Sequence, residues 1–269
     1  MGEARGRKSI FITGAASGIG AETARYFSRK GWFTGLYDVD THGLARVAEE
    51  LGADNCHSAK LDVRSRDDWA SAVAAFTEAT EGAMNVLFNN AGVGRHGWFD
   101  DIPAHDADWI VDVNIKGVVN GVYAALPLLK QTRGARIVNT ASTAGIVGSP
   151  QLAVYSATKF AVRGLTEALD AEFRDLDIRV TSLMPWFIDT PILDMPNREG
   201  SNHNMKDEIE AAGQTVYPVS MAAERAWDAA HGKDIHYMVG KDAERAKFMT
   251  RWLPGFMLGQ VKKRVPERG

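Results

Sequence analysis

Residues 13–20 read TGAASGIG, between a short apolar run, SIFITG (9–14), and an amphipathic stretch that begins near Gly18. Gly14 lets the chain turn tightly, Gly18 lets the backbone approach a pyrophosphate, and Gly20 lets the opening helix pack closely on the strand. The helix N-terminus offers unpaired N–H groups and the positive end of its dipole to phosphate. Gly14, Ser17, Gly18, Ile19 and Gly20 are therefore candidate cofactor-binding residues. Three glycines in a turn are weak evidence alone; the strand–loop–helix setting carries the reading.

Beyond this loop, SIFITG (9–14), FTGLYD (33–38), AKLDV (59–63), MNVLFNN (84–90), ARIVNT (135–140), IRVTSLM (178–184) and IHYMVG (235–240) predict strands. They read as near-continuously apolar rather than alternating, as expected where both faces of a parallel sheet are covered. Helical patterns near 18–30, 41–51, 66–80, 106–130, 153–175 and 221–231 alternate with them. The expectation is one α/β domain spanning 1–269, a doubly wound parallel sheet of about seven strands with helices on both faces.

Composition narrows the function. A net charge of -3 gives no basic excess to neutralise phosphates, so no nucleic-acid partner is expected. Cys56 is the single cysteine, which excludes an intramolecular disulfide and a cysteine-based metal site; no histidine–carboxylate cluster has metal-ligand spacing either, so no metal is expected. The lead MGEARGRKSIFITG lacks the long apolar region of a secretory signal, and no run of 18 apolar residues occurs; a cytoplasmic protein is expected.

Asp38 ends the second predicted strand, 24 residues after Gly14. A carboxylate there accepts hydrogen bonds from adenosine ribose hydroxyls and repels a 2′-phosphate, and the loop residues Ala15, Ala16 and Ser17 supply no cation to hold one. NAD is thus expected over NADP. Asp38 could instead cap the next helix, a role Asp40 fills equally well.

With these residues in place, the chain resembles the short-chain dehydrogenase/reductase family over nearly its full length. The spacing from Thr13 to Gly20 is the form that family uses, and NNAG (89–92) and LDV (61–63) match two further motifs. The resemblance implies a Rossmann-type fold. It implies that Asn90, Ala91 and Gly92 line the cofactor's adenine side, and that the Asp62 side chain and Val63 backbone meet the adenine. It also implies that Asn114, Ser142, Tyr155 and Lys159 are catalytic, with Tyr155 and Lys159 touching the cofactor as well, and that Asn114 helps hold a water joining Lys159 to solvent. Pro185, Ile188 and Thr190 match the segment at the nicotinamide, but Trp186 stands where the family usually has glycine. That places the local backbone in question, since glycine tolerates dihedrals that tryptophan does not.

The chemistry explains the residue types. Hydride transfer from an alcohol leaves a proton, and a tyrosine with a pKa of about 10 is a poor base at neutral pH. Lowering it by about 2.5 units takes roughly 3.4 kcal/mol. One ammonium at about 5 Å, at an effective dielectric near 20, supplies roughly that much. Tyr155 and Lys159, four apart on a helix, share a face. Ser142 can hydrogen-bond the substrate oxygen.

Trp98, Gln151, Leu152, Trp186, Phe187 and Leu193, with Ser142 and Tyr155, are the expected substrate pocket. Arg95 and His96, after NNAG, are weaker candidates, because an exposed loop needs polar residues anyway. Segment 186–219 opens apolar, turns polar at NREGSNHNMKDE, and is expected to form a substrate lid. Residues 241–269 carry eight Lys or Arg against three acids, a charge of +5 that leaves -8 for residues 1–240. Their interleaved aromatics suit packing over the cleft or against another subunit better than peripheral contact with an anionic membrane.

The expected activity is NAD-dependent hydride transfer between nicotinamide and a hydrophobic secondary alcohol or ketone, in a homodimer or homotetramer assembled through the helices near 106–130 and 153–175. An NADPH-dependent carbonyl reductase and a non-catalytic NAD-sensing protein are the alternatives.

Overall fold

The computed structural model describes residues 6–194 and 205–263. Met195, most of the polar run of the expected lid, and Arg264, Glu267 and Arg268 lie outside the described residues. The strands are β1 (Ser9–Thr13), β2 (Phe33–Asp38), β3 (Cys56–Lys60), β4 (Val86–Asn89), β5 (Arg136–Thr140), β6 (Arg179–Pro185) and β7 (His236–Val239). They form one parallel sheet in the order β3-β2-β1-β4-β5-β6-β7. The helices are α1 (Gly18–Arg29), α2 (Thr41–Leu51), α3 (Arg66–Ala79), α4 (Ala104–Val111), α5 (Gly117–Gln131), α6 (Ala153–Glu172), α7 (Met205–Ala211), α8 (Val219–His231), α9 (Lys241–Trp252) and α10 (Pro254–Lys263).

β1 is buried at every position because helices cover both of its faces. One core packs Ile10, Ile12 and Phe88 against α1 and α8; the other packs Phe11, Tyr37, Trp69 and Phe76 beneath α3 and α5. Strand order reverses between β1 and β4, which opens the ligand crevice at the carboxyl ends of the strands. Parallel pairing of Thr13 with Tyr37 puts the glycine loop and Asp38 level on that edge.

Three expectations change. The third strand is Cys56–Lys60, with Leu61, Asp62 and Val63 in the loop beyond it. It is the sheet's edge, where burial alternates, so the apolar run of a central strand is missing from its sequence. The long helix expected over 106–130 is two helices joined by a π-helical turn at Asp112–Lys116. Gly117 and Gly121, small residues on one of the helices expected to assemble subunits, face inward: a Cβ on Gly117 would lie 2.7 Å from Val63, and one on Gly121 2.7 Å from the Trp69 ring.

Candidate active site

Gly14 has φ +67°, and a Cβ on it would lie 2.9 Å from the Ala91 Cα. A Cβ on Gly20 would overlap the Gly14 carbonyl, so loop and helix meet backbone to backbone. Asn90 fastens this turn: its amide donates to the carbonyls of Thr13 (3.1 Å) and Gly14 (3.3 Å), and its side-chain oxygen accepts from Thr140 (3.1 Å). The Asp38 carboxylate accepts from the backbone N–H groups of Ala16 (3.1 Å) and Asp40 (3.0 Å). Asp40, not Asp38, caps α2, accepting from His42 and Gly43. Asp38 is thereby fixed at the crevice and left without a helix to cap.

The Asp62 carboxylate turns to Arg64, with contacts of 2.6 to 3.1 Å, and this guanidinium holds it below the usual carboxylate range. Arg64, which the sequence did not single out, lines the crevice beside Asp62.

At the other end, α6 carries Tyr155 and Lys159 toward β5. Lys159 is buried; its ammonium donates to the Thr140 carbonyl at 2.8 Å and lies 5.4 Å from the Tyr155 ring centroid. Ser142 starts the short turn after β5, and its hydroxyl accepts from the Ala144 N–H. Asn114 is buried within the π turn, where its amide bonds both the N–H and the carbonyl of Val93 (2.8 and 2.9 Å) and the Thr158 hydroxyl (3.1 Å). A Cβ on Gly92 would sit 3.4 Å from both Asn114 Oδ1 and Lys159 Nζ, so these two converge behind that glycine.

The electrostatics differ from the expectation. Burial pushes Tyr155 up to about 12, with the Ser142 hydroxyl pulling the other way, and burial pushes Lys159 down to about 8. In this protein alone, desolvation is the leading cause of both shifts. The phenol is therefore protonated at neutral pH.

Both ends open into one cavity of about 700 Å³. Gly14, Ser17, Gly18, Ile19, Asp38, Asp62, Val63, Asn90, Ala91, Gly92, Pro185, Ile188 and Thr190 line it, together with Ser142, Tyr155 and Lys159. Of the expected substrate residues, Gln151, Leu152, Trp186, Phe187 and Leu193 line it and Trp98 does not. His96 enters the wall, while Arg95 turns away, paired with Asp106 at 3.1 Å and stacked over Trp109. Met205 and Ile209 of α7 and Met257 and Val261 of α10 complete the apolar end. Both segments are expected at the cleft from the sequence, 186–219 as a lid and 241–269 as suited to packing over it, but the sequence did not single out these four residues as pocket walls.

Trp186 does not adopt a positive φ, so the backbone here never needed the glycine. Its backbone N–H donates to the Val239 carbonyl, and its ring meets Phe187 edge-on at 5.4 Å. Residues near the two ends of segment 186–219 are tied together: the Tyr217 backbone N–H donates to the Phe187 carbonyl (2.8 Å), and that of Asp189 donates to the Tyr217 carbonyl (2.9 Å). Leu193, Met205 and Ile209 form a small buried cluster of their own, against Leu152, Phe187 and Ile192.

Residues 8–201 match the family described as short chain dehydrogenase. The chain belongs to the short-chain dehydrogenase family. It is 39% identical over 206 residues to the oxidoreductase UcpA of Salmonella typhimurium (strain LT2), covering 75% of this chain and 76% of that one. It is 33% identical over 189 residues to the cyclohexanol dehydrogenase of an Acinetobacter strain (SE19), covering 69% and 75%. Among solved structures, a short-chain dehydrogenase/reductase from Burkholderia phymatum in complex with NAD superposes with a TM-score of 0.82 at 27% identity, covering 98% and 97%. As a short-chain dehydrogenase the chain is an oxidoreductase that uses a nicotinamide cofactor. Its crevice fits such a group: the glycine turn has no side chain in the way, and the cavity runs unbroken from Asp38 to Tyr155.

Proposed function

We propose that this protein transfers a hydride between NAD and a hydrophobic secondary alcohol or its ketone, with Tyr155 as general acid and base. The observation that carries the proposal is the single cavity joining Asp38 and the glycine turn to Ser142, Tyr155 and Lys159, and continuing into an apolar end walled by Leu193, Met205 and Ile209. The similarity to a cyclohexanol dehydrogenase supports a secondary alcohol. The glycine turn, Asp38 and the Asn90–Gly92 segment would hold the dinucleotide, with Ile188 and Thr190 at its nicotinamide end. When bound, the nicotinamide accepts or returns the hydride.

The chain's own groups manage the proton. Ser142 steadies the substrate oxygen, and Tyr155 gives a proton to a carbonyl oxygen or takes one from an alcohol. Lys159, held on the Thr140 carbonyl, orients the site and favours the phenolate, and Asn114 braces the loop at Val93 that closes over it. A panel of hydrophobic secondary alcohols, followed by NADH absorbance, tests the proposal; no turnover across the panel refutes it. Assembly as a homo-oligomer through α6 is part of this reading, since Ala157, Phe160, Ala161 and Gly164 are exposed there.

For the cofactor, kcat/KM with NAD should exceed that with NADP, and Asp38→Ala should narrow the gap. Among the described residues, the one guanidinium lining the cavity, that of Arg64, is held by Asp62, and Val39 follows Asp38. Equal use of both cofactors by the unmutated protein overturns this.

For the lid, Leu193→Ala should lower kcat/KM roughly tenfold for a bulky apolar alcohol while sparing a small one. Because Leu193 packs in a satellite cluster, the stability cost should fall at the low end of buried leucine truncations, about 2 kcal/mol. Trp186→Ala should cost both selectivity and stability, since Trp186 also packs against two buried clusters, one holding Met184 and Ala243 and the other Val147 and Met257. An unchanged selectivity ratio with a lowered Tm for Leu193→Ala would make the segment plain core.

A further inference from the structure

Large apolar side chains left in water usually occur singly. Here Phe248, Trp252, Leu253, Phe256 and Leu258, each more than half exposed, crowd the corner where α9 meets α10. The charges around them are of one sign. From Arg245 to Lys263 there is no aspartate or glutamate, while Arg245, Lys247, Arg251, Lys262 and Lys263 are all exposed. The two acids of α9 lie at its far end and are engaged: Asp242 accepts from the Tyr217 hydroxyl at 2.9 Å, and Glu244 faces Arg225 at 3.6 Å.

The opposite side of the same helices is already satisfied. Ala246 and Met257 are buried with Val147, and Met257 and Val261 form a wall of the cavity. The segment therefore has two apolar faces, and among the described residues only the inner one is covered. We propose that the outer face docks on an anionic lipid surface. Interleaved aromatic and cationic side chains are the composition that seats in the headgroup layer. The charge of -8 on residues 1–240 disfavours approach by other faces, so this corner sets the orientation. A second copy fits less well, because a symmetric contact would press two all-cationic surfaces together. Among the described residues no helix is long and apolar enough to cross a membrane, so the contact is peripheral. Docking would set the Met257–Val261 wall beside the bilayer, a source of apolar substrate; that consequence alone rests on the proposed function.

Flotation of the full chain with vesicles tests the docking without any activity measurement. The chain should float with mixed phosphatidylcholine–phosphatidylglycerol vesicles, not with phosphatidylcholine alone, and high salt should release it. Trp252→Ala with Phe256→Ala, and separately Lys247→Glu with Arg251→Glu, should each reduce partitioning roughly tenfold or more, with unchanged Tm. Tyr123→Ala, which removes an exposed aromatic on α5, should leave it intact. Absence of binding, equal binding to both vesicle types, or binding indifferent to the Trp252 and Phe256 changes overturns the proposal. So does an oligomer that those two changes dissolve, which would assign the face to a second copy. Failure of the alcohol panel would leave the flotation result standing, so the two readings fail separately.

Discussion

Tyr155→Phe is expected to lower kcat by roughly 10²- to 10⁴-fold while leaving NADH affinity within a few fold. The substitution keeps the ring that lines the cavity and removes only the ionisable oxygen. Ser142 remains to hold the substrate oxygen, so residual turnover reports what positioning achieves without proton transfer. The direction of pH dependence follows from the burial of the phenol, which is pushed up to about 12 in the protein alone. Ketone reduction uses the protonated form, so its kcat/KM should be flat through neutrality and fall as the tyrosine ionises. Alcohol oxidation uses the phenolate, so its kcat/KM should climb with pH. In Tyr155→Phe both pH dependences should flatten. Stopped-flow turnover and fluorescence titration with NADH separate the two effects; near-normal kcat would mean that another group moves the proton.

The parts of the site that could be read from the sequence are those fixed by local rules. The glycine turn sits between a strand and a helix it helps create, and Asp38 ends a strand paired in register with the first. Tyr155 and Lys159 share a helical face by spacing alone. The illegible parts depend on residues distant in the chain. The edge strand Cys56–Lys60 lacks a continuous apolar run because one of its sides has no neighbour. The π turn at Asn114 inserts into a helical period that continues on either side of it, so the apolar pattern reads straight through. The placement of Trp98 outside the cavity, and of Met257 within it, is decided by how loops and the last helices pack. Spacing likewise supplied the proximity of the Tyr155–Lys159 pair but not the desolvation that raises one pKa and lowers the other.

Lys159→Met is expected to stabilise the fold or leave its stability unchanged while reducing turnover by at least as much as loss of a general base, roughly 10²-fold or more. Burial holds the Lys159 ammonium down to about 8, against about 10.5 for a free lysine. Below pH 8 the group is protonated in both the folded and unfolded chains, and the folded state carries the full penalty, at most about 3 kcal/mol. Between pH 8 and 10.5 the folded state loses the proton first and the penalty is relieved; above that range it is gone. Methionine matches the shape without the charge, so its gain should be present at pH 7 and shrink as pH rises through this window. Loss of the ammonium's hydrogen bond to the Thr140 carbonyl, worth about 1.5–3 kcal/mol, offsets much of it. Activity is expected to move the other way, because the phenolate of Tyr155 loses the cation 5.4 Å from its ring. Thermal melts from pH 7 to 10.5 alongside kcat for the same variant test both halves. A Tm that falls at pH 7 in step with activity would make Lys159 a structural residue, and the opposed signs expected here would be refuted.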